Sequence, residues 1–403
     1  MNQSLSGIKI LDFSGPAGFY CSKLLADLGA EVVIVENPSD ELFNNLGPYY
    51  NDIKDPNYSL YRWHFHTNKK SVALNISNPK DKETLNSLIK HADVFIDTLT
   101  NQEANSLDLS MENVRALNPH IVHTRITGFP DNSEYSEYKY TDMTVLAMSG
   151  LMSITGFPED PPNQMGGEQA YHMASLNAAI GTMISVLERE LTGTGKDVSV
   201  SIQECASMST LQTANFNYYT WHGINRGRNG LNHPFSDQGP SYEEDRNFPR
   251  VLYESKDGWV AHATHLAPPG AWKNFVKWLS DYDSEQDLDD PKFENHETRN
   301  LFQNHINDVM KSHCAKLTKQ EIYHSAQKLK ILVLPINSVK DLTEDEQLIY
   351  RGYFEKVFHK DLNTEITYPG APYQMKKTPW KIKSPAPKVG ENTQQVLNEW
   401  LNQ

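Results

Sequence analysis

The sequence predicts an α/β fold, with a doubly wound parallel sheet in the larger part of the chain and a second, smaller α+β domain. Three observations carry this. The chain opens on a strand, helix, strand unit; the same alternation continues to about residue 126; and from about Thr220 it gives way to polar loop, a hairpin and an aromatic helix.

The opening unit begins with Ile8 to Phe13, an apolar run bounded by Gly7 and the Gly15-Pro-Ala-Gly18 turn, as suits a buried strand. Leu24, Leu25 and Leu28 then recur at helical spacing, Gly29 stands where a helix stops, and Val32-Val-Ile-Val35 is β-branched and wholly apolar. Further along, a helix is expected near Asp81 to His91, a strand at Val94-Phe-Ile-Asp97, a helix near Met111 to Leu117 and a strand at Ile121 to Ile126. A long helix from about Tyr171 to Leu191 carries Ala174, Ser175, Ala178, Ala179 and Gly181, small residues that permit close backbone packing. Asp197 to Gln203 alternates as a strand, with Val198, Val200 and Ile202 on one face. In the smaller domain, Asp257-Gly258 between two apolar runs predicts a hairpin from Arg250 to Ala263, and Trp272, Phe275 and Trp278 supply a helix with aromatic core. Lys381 to Pro387 is held extended by its prolines before a final helix that places Val396, Leu397, Trp400 and Leu401 on its apolar side.

Composition narrows the classes of function. With 37 Lys and Arg against 51 Asp and Glu, the net charge of -14 argues against binding a nucleic-acid backbone, which needs clustered cations. Cys21, Cys205 and Cys314 are odd in number and far apart, without the paired spacing of a zinc site or a disulfide framework. A reducing, cytoplasmic setting is expected, since no stretch reaches the length of a membrane span and the first residues lack a basic segment followed by an apolar run.

Six segments, in order, resemble CoA-transferase family III, the group of formyl-CoA transferase, carnitine CoA-transferase and methylacyl-CoA racemase. They are Leu5-Ser-Gly-Ile-Lys-Ile-Leu-Asp12, Leu24-Leu-Ala-Asp-Leu-Gly-Ala-Glu-Val-Val33, Asn68-Lys-Lys-Ser-Val-Ala-Leu-Asn75, Ala147 to Gly156, Leu187-Glu-Arg-Glu-Leu-Thr-Gly-Thr-Gly195 and Gly390-Glu-Asn-Thr-Gln-Gln-Val-Leu397. The resemblance implies a Rossmann-like large domain made from residues 1–215 and a return segment at 331–403, a small domain at 220–330 inserted between them, and an interlocked-ring dimer.

It also implies a site. In the family's transferases an aspartate attacks the acyl-CoA thioester, and here that place, at the head of the long helix, holds Tyr171. A phenol with an ordinary pKa near 10 is ionised at only about one part in a thousand at neutral pH, and an aryl ester is less activated than an anhydride. Tyr171 reads either as an aromatic side chain filling the vacated carboxylate pocket, as a general acid or base, or as a covalent acceptor. Glu168 and His172 stand beside it as alternative acid-base groups. Asp142 matches an aspartate of the racemases, although Thr141 replaces the histidine that precedes it there. The resemblance places coenzyme A at Ala17, Asn37, Lys69, Lys70, Asp97 and Tyr140; arginines common in the family are Asn37 and Asn105 here.

Other readings are weaker. The Gly15-Pro-Ala-Gly18 turn with Glu36 lacks the Gly-x-Gly of a dinucleotide site. Trp63-His-Phe-His66 would put two histidines on one face of a strand, but no further ligand pair accompanies them, so no metal is expected and an aromatic strand or loop is the preferred reading. Glu243-Glu244-Asp245 reads as a solvated loop whose charge would repel a carboxylate. Three functions stay open: an enzyme on acyl-CoA thioesters (a transferase using another group, or a lyase or isomerase); a non-catalytic subunit paired with an aspartate-bearing paralogue; and a protein that has left CoA behind. The expected partners are an acyl-CoA or a small carboxylic acid, and a second subunit forming a homodimer or heterodimer.

Overall fold

The computed structural model describes residues 3–40, 46–211, 214–225, 227–231, 249–262 and 270–402. The chain forms two compact units. One comprises Met1–Ser149, Met165–Ser209 and Glu346–Gln403, the other Gly150–Gln164 and Thr210–Asp345.

The first unit is built on six strands, β1 (Lys9–Phe13), β2 (Glu31–Glu36), β3 (Lys69–Ala73), β4 (Val94–Asp97), β5 (Val122–Thr127) and β6 (Asp197–Ser201). They lie in the order β3-β2-β1-β4-β5-β6, and every pairing is parallel. Reversal of strand order at β1 makes the sheet doubly wound, as the alternating pattern predicts, and parallel strands covered on both faces explain why Val32 to Val35 and Val94 to Ile96 carry no polar alternation. Helix Pro16–Asp27 follows β1 and ends as expected, with Gly29 at φ +106°, a backbone state that disfavours any side chain. Its neighbour is the long helix Gln169–Thr192, whose buried face is Ala170, Ala174, Ser175, Ala178 and Ala179; the Ser175 hydroxyl donates to the Ala17 carbonyl at 2.8 Å, a contact that larger side chains would prevent.

On the other face, helix Pro79–His91 and the C-terminal helix Thr393–Leu401 share a core of Leu85, Leu88, Ile89, Val396 and Trp400 with β1 to β4. The returning chain is stitched to β3, where Asn392 both donates to and accepts from the Ser71 backbone. An antiparallel hairpin, Phe354–His359 with Thr364–Pro369, packs Val357 and Tyr368 against Trp63.

In the second unit, Leu252–Ser255 and Gly258–His262 form the expected Asp-Gly hairpin, and Val333–Pro335 adds a third antiparallel strand. Helix Ala271–Ser280 buries Trp272, Phe275 and Trp278 against Phe293, Val309 and Met310.

Two expectations are corrected. Trp63-His-Phe-His66 is no strand: Ser59 caps a short helix, Leu60–Phe65, by accepting from the Arg62 amide, and the aromatic residues bury themselves at helical spacing. Ile202 does not continue the β6 face but opens helix Ile202–Leu211. The acidic loop Glu243-Glu244-Asp245 lies outside the described residues.

Candidate functional site

Tyr171 lies in the first turn of helix Gln169–Thr192, where backbone amides have no partner within the helix. Its amide donates to Asp142 Oδ1 at 3.1 Å, so Asp142, itself in the first turn of helix Asp142–Met148, does for this helix what a capping side chain would do. Glu168 is the residue at the N-cap, yet its carboxylate makes no capping hydrogen bond. It turns away and accepts from the Tyr61 hydroxyl at 2.6 Å. The ring of Tyr140 meets Tyr171 edge-on, with centroids 6.4 Å apart and planes at 90°. Gly128 permits this placement, because a Cβ there would stand 2.4 Å from Tyr140 Cδ1. The result is one cluster of two carboxylates and three phenols, drawn from three stretches of chain.

The electrostatics follow from the geometry. Burial, then Asp142, then Glu168 push the Tyr171 phenol up to about 12. Burial and the Glu168 bond hold the Tyr61 phenol far above its ordinary value. Burial raises Glu168 above the usual carboxylate range and Asp142 adds to it, while the Tyr61 hydroxyl opposes. The Tyr171 hydroxyl makes no hydrogen bond to any described residue. His172 points elsewhere, toward Tyr20 and Phe65, and burial lowers its pKa.

The remaining sequence-selected residues are spread across the sheet. Lys69 is enclosed: its ammonium bonds Ser22 Oγ at 2.7 Å, Asp12 Oδ2 at 3.1 Å and the Phe19 carbonyl at 3.3 Å, with no side-chain exposure. Lys70, on the opposite side of β3, is at the surface between Glu31 and Glu399. Asp97 is buried at the end of β4; burial alone would raise it, but His123 and Arg125 outweigh that and hold it below its ordinary value. Ala17 is buried in the first turn of its helix, Asn37 accepts from the Ser39 amide just after β2, and Asn105 is exposed on helix Asn101–Ser106. Glu36 binds Arg62 and Ser71 rather than facing a ligand. A nucleotide phosphate at these positions would meet neutral amides at residues 37 and 105 and two lysines already engaged by carboxylates.

Tyr61 is the member that sequence reading does not select. Its only sequence signal is the Ser59 cap, which makes 60–65 a helix and so fixes which way residue 61 faces. Arg62 locks that helix in place by bonding both oxygens of Glu36 and the Pro387 carbonyl. Among the described residues no group of three His, Cys, Asp or Glu is placed to hold a metal ion, and no helix is long and apolar enough to cross a membrane.

Comparison with known proteins agrees with this architecture. Residues 5–393 match the model for CoA-transferase family III. The chain is 27% identical to the succinyl-CoA:(R)-benzylsuccinate CoA-transferase subunit BbsE of Thauera aromatica, over 99% of this chain and 95% of that protein. It is 28% identical to formyl-CoA:oxalate CoA-transferase of Streptomyces avermitilis, over 98% and 95% respectively. The crystal structure of a CAIB/BAIF family protein from Brucella suis superimposes with a TM-score of 0.85 at 22% identity, covering 99% of this chain and all of that one, a likeness of fold.

Proposed function

This chain belongs to CoA-transferase family III, and from that premise we propose that it moves coenzyme A between an acyl-CoA thioester and a small carboxylic acid, using an acyl-accepting carboxylate other than residue 171. One observation carries the reading: the Tyr171 phenol stands beside Asp142 and Glu168, which with burial push it up to about 12. At pH 7 on the order of one such phenol in a hundred thousand is ionised. Transfer through residue 171 would therefore start from almost no nucleophile and end in a poorly activated aryl ester. The Tyr171 ring instead packs edge-on against Tyr140 at the helix start.

A second reading rests on the similarity to a transferase subunit: the accepting carboxylate comes from an aspartate-bearing partner chain, and this chain contributes binding surface to a heterodimer. Both readings make an acyl-CoA the ligand, and the neutral residues at 37 and 105 make its nucleotide end less tightly held than two arginines would, by about 1.5 to 3 kcal/mol for each lost charge-assisted bond.

The test is transfer by the purified chain from succinyl-CoA or formyl-CoA to a panel of mono- and dicarboxylic acids, followed by chromatography of the CoA products. Transfer that survives Tyr171→Phe supports the first reading. Transfer seen only after adding an aspartate-bearing family member supports the second, and an acyl ester on Tyr171, lost with the activity in Tyr171→Phe, overturns both.

A further inference from the structure

We propose that Glu168 is the acyl-accepting carboxylate and that Tyr61 is its positioning residue, so that the nucleophile sits one helical turn before the place where the family's aspartate would stand. The inference rests on the transfer reading above and deepens it.

Four features place Glu168 in that role. It occupies the N-cap of a 24-residue helix and makes no capping hydrogen bond there. Capping is left to Asp142, through the Tyr171 amide, so the Glu168 carboxylate is released from structural duty. It points instead to Tyr61, whose 2.6 Å hydrogen bond fixes one oxygen and leaves the other, Oε1, with no hydrogen bond to a described residue. Glu168 is half-buried, and Gly166 and Gly167 just before it are exposed. Tyr61 is carried on the short helix that Ser59 caps and Arg62 ties to the Pro387 carbonyl.

The step balances without a further reactant. Glu168 Oε1 attacks the thioester carbonyl carbon; a C–O bond forms, the C–S bond breaks, and CoA leaves as the thiolate, giving an acyl-glutamyl anhydride. The thiolate then attacks the glutamyl carbonyl carbon and displaces the donor acid as its carboxylate, leaving a glutamyl-CoA thioester. An acceptor carboxylate reverses the two steps and departs as the new acyl-CoA. The ionised carboxylate attacks without a base to remove a proton, which the phenol of residue 171 would require. Tyr61 holds the attacking group in line through the oxygen that does not react.

The experiment uses the intact protein with succinyl-CoA and, separately, formyl-CoA, each with labelled free CoA. Label should enter the thioester pool, because anhydride formation is reversible. After borohydride quenching, peptide mass spectrometry should find residue 168 reduced to its alcohol. Glu168→Gln should lower exchange at least 100-fold and abolish the modification, and Glu168→Asp should retain a measurable fraction of it. Tyr171→Phe should keep the modification at residue 168. Tyr61→Phe should lower kcat about tenfold with little change in KM, and should move the acidic limb of the pH–rate profile upward, because the Tyr61 bond opposes the rise that burial and Asp142 impose on Glu168. The groups facing Glu168 are Tyr61, Asp142 and Tyr171, so a purely structural loss would lower the rate without moving that limb. Exchange that persists in Glu168→Gln, or modification at another residue, overturns the assignment and leaves the transfer reading standing. No exchange from either thioester, alone or with an aspartate-bearing partner, removes the transfer reading and this inference with it.

Discussion

Replacing Lys69 by methionine separates a structural cation from a ligand-binding one. The Lys69 ammonium is fully enclosed and shared among Asp12, Ser22 and the Phe19 carbonyl, with His66 Nδ1 3.2 Å away. Methionine fills a similar volume but leaves the Asp12 carboxylate, also without exposure, to the Ser14 amide and the hydroxyls of Ser14 and Ser22. Removing one partner of a buried ion pair costs about 3 to 5 kcal/mol, because the remaining charge stays desolvated. That is about a fifth or more of the roughly 5 to 15 kcal/mol that typically separates a folded domain from its unfolded chain. By contrast Lys70→Met removes a surface ammonium from between Glu31 and Glu399, and exposed pairs contribute about 0 to 1 kcal/mol. Urea unfolding followed by far-ultraviolet circular dichroism reads both, and Asp12→Asn on the Lys69→Met background should recover part of the loss by removing the orphaned charge. If Lys69→Met instead unfolds with the parent chain while its affinity for CoA falls, the buried-pair argument is wrong and Lys69 reaches the ligand.

Three further outcomes are expected. In the second unit, burial lowers His262 and His313 to about 4; since both bind protons more weakly when folded, their neutral forms favour folding fully above the ordinary histidine pKa, and that stability is lost as pH falls from about 6.5 toward 4. Thermal midpoints measured across that range should fall, and His313→Phe should blunt the fall. Gly128→Ala should displace the Tyr140 ring, since the new Cβ would lie 2.4 Å from it, at about 1 to 3 kcal/mol, visible as a changed near-ultraviolet spectrum and a lower urea midpoint. Tyr171→Phe should leave unfolding within about 1 kcal/mol of the parent, because the phenol has no hydrogen-bond partner among the described residues; a larger loss in the same titration would mean that the hydroxyl is a structural group.

The sheet was legible because parallel strands buried on both faces are uniformly apolar and the turns between them carry glycine; β1, β2 and β4 can be read from residues 8–13, 32–35 and 94–97 almost alone. The site was legible only in part. Tyr171, Glu168 and Asp142 announce themselves by position, and the structure brings them together with Tyr140. Lys69 and Lys70 look alike in sequence, but adjacent residues on a strand face opposite ways, so one lysine enters the core and the other stays at the surface. What decides the inward one is Asp12, 57 residues earlier, a pairing no local pattern carries. Tyr61 was missed for a similar reason: its partner is 107 residues away, and its helix reads as an aromatic strand until the Ser59 cap is given weight.

The cluster at the head of the long helix has an internal logic that a single substitution does not convey. A carboxylate at residue 171 would stand beside Asp142 and Glu168, and three like charges in a half-buried corner would raise one another's pKa. A tyrosine there removes one charge, supplies a ring for Tyr140 to meet edge-on, and leaves Asp142 to cap the helix and Glu168 to face Tyr61. The tyrosine and the placement of Glu168 thus belong to one electrostatic arrangement: with residue 171 uncharged, Glu168 has one like charge beside it, Asp142, rather than two.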